Sequence, residues 1–104
     1  MTGPRVLPGR QTEKQLAAKV RELAALFGWL RYHTHRSDFS PAGFPDETLA
    51  RAPRLIFAEL KSDNPHAKPS EAQQRWLDLL AQIPEVEVYV WRPKDLDDIV
   101  RILR

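Results

Sequence analysis

Cysteine is absent from the 104-residue chain, which removes disulfides, thiolate zinc sites and cysteine nucleophiles together. Long apolar runs are absent too, and the uncharged stretches fall far below the roughly 20 residues that span a bilayer. Neither sign of charge dominates: 16 Lys and Arg oppose 14 Asp and Glu, leaving a net +2 and a pI near 9.2. So mild a balance permits nucleic-acid binding without arguing for it, and local basic patches must do any attracting. No secretory pattern opens the sequence, because residues 1–10 are polar, with Pro4, Pro8 and two arginines. A cytoplasmic location with no membrane partner is expected.

What is present is the composition of one globular domain. A 42% hydrophobic and 29% charged chain of this length buries one core, not two. Residues 1–11 hold two prolines and two glycines without periodicity and read as a flexible N-terminal arm; the domain proper is expected over 12–104. Thr12 has Gln15 in the capping-box position, and Leu16, Val20, Leu23 and Phe27 follow at helical spacing until Gly28. Glu13 falls on that apolar stripe, an odd place for a glutamate.

Trp29 to His35 suits a short strand, and Arg36 to Pro45 a loop. Asp46 to Ala50 is a weak strand, Arg51-Ala52-Pro53-Arg54 a turn, and Leu55 to Lys61 the strong return strand of a hairpin. A polar loop runs from Ser62 to Pro69. A second helix starts near Ser70 with Trp76, Leu77 and Leu80 inward, Val86 to Trp91 reads as a central strand, and Asp95 to Leu103 as a last helix. The order α-β-β-β-α-β-α predicts a mixed sheet with helices on its faces.

The chemistry concentrates in Pro45-Asp46 and, thirteen residues on, Glu59-Leu60-Lys61. Charges in strand-like apolar sequence are costly unless paired. Strand alternation puts Leu55, Phe57, Glu59 and Lys61 on one face, and Pro45 fixes the backbone that delivers Asp46. Two carboxylates brought together by a hairpin resist joint ionisation unless a cation lies between them. A hard divalent ion such as Mg²⁺ is the economical choice, and phosphodiester hydrolysis is the chemistry it suits, with Lys61 stabilising the developing charge.

Each residue also has a plainer reading. Glu13 suits the positive end of a helix dipole, Gln73 with Ser70 forms a capping box, and Asp46 is an ordinary residue after a turn proline. Glu59 and Lys61 would make an edge ion pair of small worth. His33 and His35 share a strand face but are too few for a closed zinc site, so packing or DNA contact is expected of them. Arg31, Arg36, Arg51 and Arg54 around the hairpin ends, with His35, His66 and Lys68, are either surface charge or a phosphate-contacting rim. The three tryptophans read as core.

Taken jointly, Glu13, the run Ser40-Pro41-Ala42-Gly43-Phe44-Pro45-Asp46, Phe57-Ala58-Glu59-Leu60-Lys61, Ser70-Glu71-Ala72-Gln73 and Val88-Tyr89-Val90-Trp91-Arg92-Pro93 resemble the VRR-NUC (virus-type replication-repair nuclease) family of the PD-(D/E)XK nuclease superfamily. The resemblance covers nearly all of 12–104. It implies an α/β fold with a restriction-endonuclease-like αβββαβ core, a mixed four-stranded sheet flanked by helices, plus a C-terminal helix. It further implies a Mg²⁺- or Mn²⁺-dependent endonuclease without organic cofactor. Asp46, Glu59 and the Leu60 backbone carbonyl would be metal ligands, Glu13 an outer or water-mediated one, Lys61 the catalytic lysine and Gln73 an accessory residue. Stand-alone relatives of this size act as homodimers on branched DNA, Holliday junctions included, in replication, repair or recombination in bacterial or phage-infected cells. A non-catalytic DNA-binding module of the same fold, or a structure-specific RNA-cleaving enzyme, are the alternatives. Glu47 departs from the family pattern, which places an apolar residue after the aspartate. It is expected to weaken its strand or add a carboxylate near the site.

Overall fold

A computed structural model describes residues 12–35 and 39–104; the expected arm over 1–11 and Arg36 lie outside the described residues. Helix α1 (Glu13–Leu26) starts from Thr12, whose side chain accepts from Gln15 N at 3.1 Å while Gln15 Oε1 accepts from Thr12 N at 2.9 Å. It ends at Phe27, and Gly28 follows with φ +79, a left-handed conformation that glycine adopts without penalty. Strands β1 (Leu30–His33), β2 (Glu47–Arg51) and β3 (Arg54–Leu60) run as an antiparallel meander. Helix α2 (Glu71–Leu80) then carries the chain over to β4 (Val86–Trp91), parallel to β3, the crossover that a parallel pair requires. A short 3₁₀ turn (Pro93–Asp95) leads into α3 (Leu96–Leu103).

The element order and the mixed four-stranded sheet flanked by helices are those expected, an α/β fold. One placement differs. The sheet order is β1-β2-β3-β4, so β4 is an edge strand, not a central one. Its apolar composition does not reflect two neighbours, and of its six residues only Trp91 is buried.

The two faces are unequally covered. On one, Leu49, Ile56, Ala58, Leu60 and Trp91 pack against Leu16, Val20 and Ala24 of α1 and Ile99 and Leu103 of α3. The i, i+4, i+8 spacing of Leu16, Val20 and Ala24 is what points α1 at this layer. On the other face Phe57 meets Phe44 edge-on at 5.8 Å, and Phe44 meets Trp76 of α2 at 5.0 Å. Trp29 and Trp91 are core as expected, but Trp76 is half-buried, because α2 covers only the β3–β4 side.

At the β2–β3 turn a separate cluster closes the molecule. Trp29 Nε1 donates to Leu103 O at 2.9 Å, and the Arg51 and Arg54 guanidiniums stack 4.6 and 4.9 Å from its ring centre. Arg51 also donates to Phe27 O and Leu103 O, and Arg54 to Ile102 O and both oxygens of Glu87. Arg54 holds the Glu87 carboxyl below its usual range through these hydrogen bonds, as charge-assisted pairs do.

Candidate active-site cleft

The hairpin β2–β3 brings Asp46 and Glu59 together, as the spacing implies. Glu47 pairs with Ala58 across the ladder, so Asp46, one residue earlier, stands opposite the end of β3. Its Oδ2 accepts from Leu60 N at 2.8 Å. The backbone before it is fixed from the other side: Thr34 N donates to Asp46 O at 2.9 Å, and Thr34 Oγ1 to Pro45 O at 2.7 Å. Lys61 N donates to Trp91 O at 2.9 Å, which continues the parallel ladder to Lys61.

Glu59 is the anomalous residue. It is 1% exposed, yet neither carboxylate oxygen has a hydrogen-bond partner among the described residues. Lys61 Nζ lies 3.6 Å from Oε2, an ion pair too long for a hydrogen bond. Burial, and secondly the charge of Asp46, push the Glu59 carboxyl up to about 8, with Lys61 opposing. A buried carboxylate left in this state is expensive, and a divalent cation shared with Asp46 would remove both causes of the shift. The donors are hard oxygens, which suit Mg²⁺ or Mn²⁺ rather than a soft metal. The pair therefore fits the ion. Among the described residues no three His, Cys, Asp or Glu side chains gather around one point, so most of an ion's shell would be water or substrate oxygen.

Asp46 and Lys61 line an open cleft of about 950 Å³. Tyr32, Thr34 and His35 form one wall, and Lys68, Ser70, Gln73 and Trp76 the other. The loop Ser40–Phe44 forms part of the lining. Gly43 has φ +97, and a Cβ there would fall 2.6–2.8 Å from the backbone of Ala72 and Gln73. Only glycine lets the loop lie this close to α2. Gln73 serves both readings given to it. Its Oε1 accepts from Ser70 N at 2.7 Å in a complete capping box, and it lines the cleft.

Other expected residues are placed elsewhere. Glu13 is exposed in the first turn of α1 and does not line the cleft; its position on the Leu16–Val20 stripe falls beyond the edge of the core. Arg51 and Arg54 hold the end of α3 at the opposite end of their strands, occupied by carbonyls and Glu87. The phosphate-contacting rim thus does not gather through Arg51 and Arg54, and its Arg36 lies outside the described residues. His66 is exposed in the loop after β3, where its N–H donates to Asn64 Oδ1.

Arg31 and His33 are likewise engaged. Arg31 grips Glu47 through Nε–Oε1 at 2.6 Å and Nη2–Oε2 at 2.9 Å, and His33 Nδ1 lies 2.6 Å from Oε2. Glu47, 0% exposed, neither weakens β2 nor joins the cleft. Period-two alternation explains it, since Arg31, His33 and Glu47 share the face opposite Asp46. Sequence reasoning missed Thr34 and gave no role to Gly43 or Arg92, which stood only within the matched runs. Arg92 donates to Ser62 O and Ala67 O at 2.7 and 2.6 Å and so fixes the loop that presents Lys68. Carbonyl partners of this kind leave no signature in sequence.

No family model matches the sequence, and no curated protein matches it. Two solved structures are similar in fold. One, described as a VRR_NUC domain, has a TM-score of 0.67 at 18% identity and covers 88% of this chain and 97% of its own. The other, described as a VRR_NUC domain protein, has a TM-score of 0.68 at 19% identity, covering 88% and 84%. The chain has a nuclease-family fold. More particularly, it is the fold of VRR_NUC domains, as the Pro45-Asp46 and Glu59-Leu60-Lys61 pattern leads one to expect.

Proposed function

We propose that the chain is a VRR-NUC nuclease: a Mg²⁺- or Mn²⁺-dependent endonuclease that hydrolyses DNA phosphodiester bonds, with branched or flapped DNA as its substrate. The observation that carries this reading is the unsatisfied, buried Glu59 carboxylate beside Asp46 and Lys61, the two residues of the three that line an open cleft. Asp46 and Glu59 would hold the ion, with the Leu60 carbonyl, at the end of the same strand, as a third ligand. When bound, the ion supplies Lewis acidity and a more acidic water.

The remaining work falls to the chain itself. Lys61 holds its ammonium beside the scissile phosphate and offsets charge that develops on the phosphoryl oxygens. Lys68 and His35 on the cleft walls hold flanking phosphates. Gln73 keeps the first turn of α2 in place through its cap and presents its remaining amide group to the cleft. A second copy related by a two-fold axis would supply the second site that symmetric cutting of two strands requires.

Cleavage mapping on linear, flap, fork and four-way DNAs with either metal tests the reading. Cutting is expected on branched forms and is lost by a factor of about 10³ or more in Asp46→Ala and Lys61→Ala. Full activity in both variants would sink the assignment. Salt-dependent binding with no cleavage under any metal would favour a non-catalytic module, and preference for matched RNA substrates an RNA-cleaving enzyme. The mass in solution tests the pairing of subunits.

A further inference from the structure

Tyr32 is 64% exposed although it lies in the sheet, and Leu30 beside it on the same face is 80% exposed. The register Tyr32–Thr48–Phe57 puts its ring on the face that carries Phe57, Glu59 and Lys61. That is the half of the face α2 leaves open. A tyrosine on a sheet usually buries its ring and keeps only the hydroxyl wet; here the ring forms a wall of the cleft that holds Asp46, Lys61 and Lys68. Two strand spacings separate β1 from β3, roughly 10 Å, and two residues along β3 add about 7 Å. The Tyr32 and Glu59 backbones therefore stand about 12 Å apart on the diagonal of one sheet face, close enough for one nucleotide strand to reach both.

We infer that Tyr32 is a stacking platform for an unpaired nucleobase next to the scissile phosphate, a subsite that rests on the nuclease reading above. An aromatic face paired with ammonium groups is the composition of single-strand sites, because every base has a π-face and every nucleotide a phosphate. A base inside a duplex has both faces covered by its neighbours and cannot use the ring without being extruded. The subsite accordingly selects substrates with unpaired nucleotides at the cut, such as flaps and open junctions, over continuous duplex.

The test measures binding in metal-free buffer, so that it reads whether or not cleavage occurs. The probe is a flap oligonucleotide with 2-aminopurine in the unpaired strand at the branch, beside a blunt duplex. Wild-type protein is expected to quench the fluorophore. Tyr32→Ala, at an exposed position, should fold normally, lose the quench and bind the flap about tenfold more weakly, with duplex affinity unchanged. Tyr32→Phe should behave as wild type. Unchanged flap binding in Tyr32→Ala, or equal weakening on flap and duplex, overturns the subsite. So does a wild-type dimer that Tyr32→Ala dissociates at unaltered DNA affinity per site, which would give the ring to a second copy. Tyr32-dependent quenching without cleavage under any metal would keep the subsite and remove the nuclease reading instead.

Discussion

Glu47 and Glu59 sit on adjacent strands of one hairpin, both removed from water, and the fold treats them in opposite ways. Glu47 faces α1 and α3, and its two oxygens take a bidentate guanidinium and an imidazole. Glu59 faces the half-covered side and its oxygens take nothing but a distant ammonium. A buried charge that is completely paired is part of the scaffold, and replacing it disturbs its partners. A buried carboxyl left unpaired instead keeps its proton up to about pH 8, which is the less costly way to stay out of water. The comparison also shows why the sheet has two kinds of face. One is sealed by Leu16, Val20, Ile99 and Leu103; the other is left half open and carries the cleft.

The contrast breaks most visibly through stability. Arg31→Met leaves Glu47 buried without its guanidinium and should destabilise by about 3–5 kcal/mol. Glu59→Leu in metal-free buffer should be neutral or stabilising by about 1–3 kcal/mol. Denaturant titrations of the two variants side by side would refute the contrast if both lost stability alike.

The next largest effect is pH-dependent. Glu59 ordinarily ionises at 4.5 and is pushed up to about 8 by burial and Asp46. Between those values the folded protein keeps a proton that the unfolded chain has released. The stabilisation is fully present below pH 4.5 and is lost as pH rises through about 8, at up to about 1.4 kcal/mol per pH unit. Thermal melts in chelator should therefore show Tm falling from pH 5 to 8 by a slope that Glu59→Gln removes. Excess Mg²⁺ should reverse the loss at pH 8. A Tm slope shared by wild type and variant would place the titration elsewhere.

The wall of the open face gives a smaller, sharper test. Gly43→Ala drives a Cβ into the α2 backbone at positive φ and should cost about 2–4 kcal/mol, the sum of left-handed strain and overpacking. Gly28→Ala has the strain alone, since nothing lies within 4 Å of its Cβ, and should cost about 1 kcal/mol. Equal losses would mean that the loop does not rest on α2. Smallest of all, Ser70→Ala should cost about 1 kcal/mol through its cap, while Glu13→Ala should stay within about 0.5 kcal/mol. A collapse of cleavage in Glu13→Ala would return that residue to the site.

What could be read from the sequence was what local rules control. The capping boxes at Thr12 and Ser70, the period-two faces of β3 and the proline before Asp46 all act within a few residues, and the element order followed from them. The fate of the arginines was not readable. Arg51, Arg54 and Arg92 bind carbonyls brought near by tertiary packing, and such partners are type-blind in sequence. Glu47 looked like a defect because its partners, Arg31 and His33, lie on a different strand. Edge placement of β4 was hidden for a related reason: apolar composition does not report the count of neighbours in the plane.

One contact bears on how quickly and cheaply the cleft can be loaded. The Leu60 amide already holds one oxygen of Asp46 at 2.8 Å, so that side chain has surrendered its rotational freedom during folding. Immobilising a comparable flexible side chain on binding costs about 0.5–1.5 kcal/mol, and Asp46 is spared most of it. A cation of the kind proposed would thus meet a carboxylate that the hairpin has already oriented.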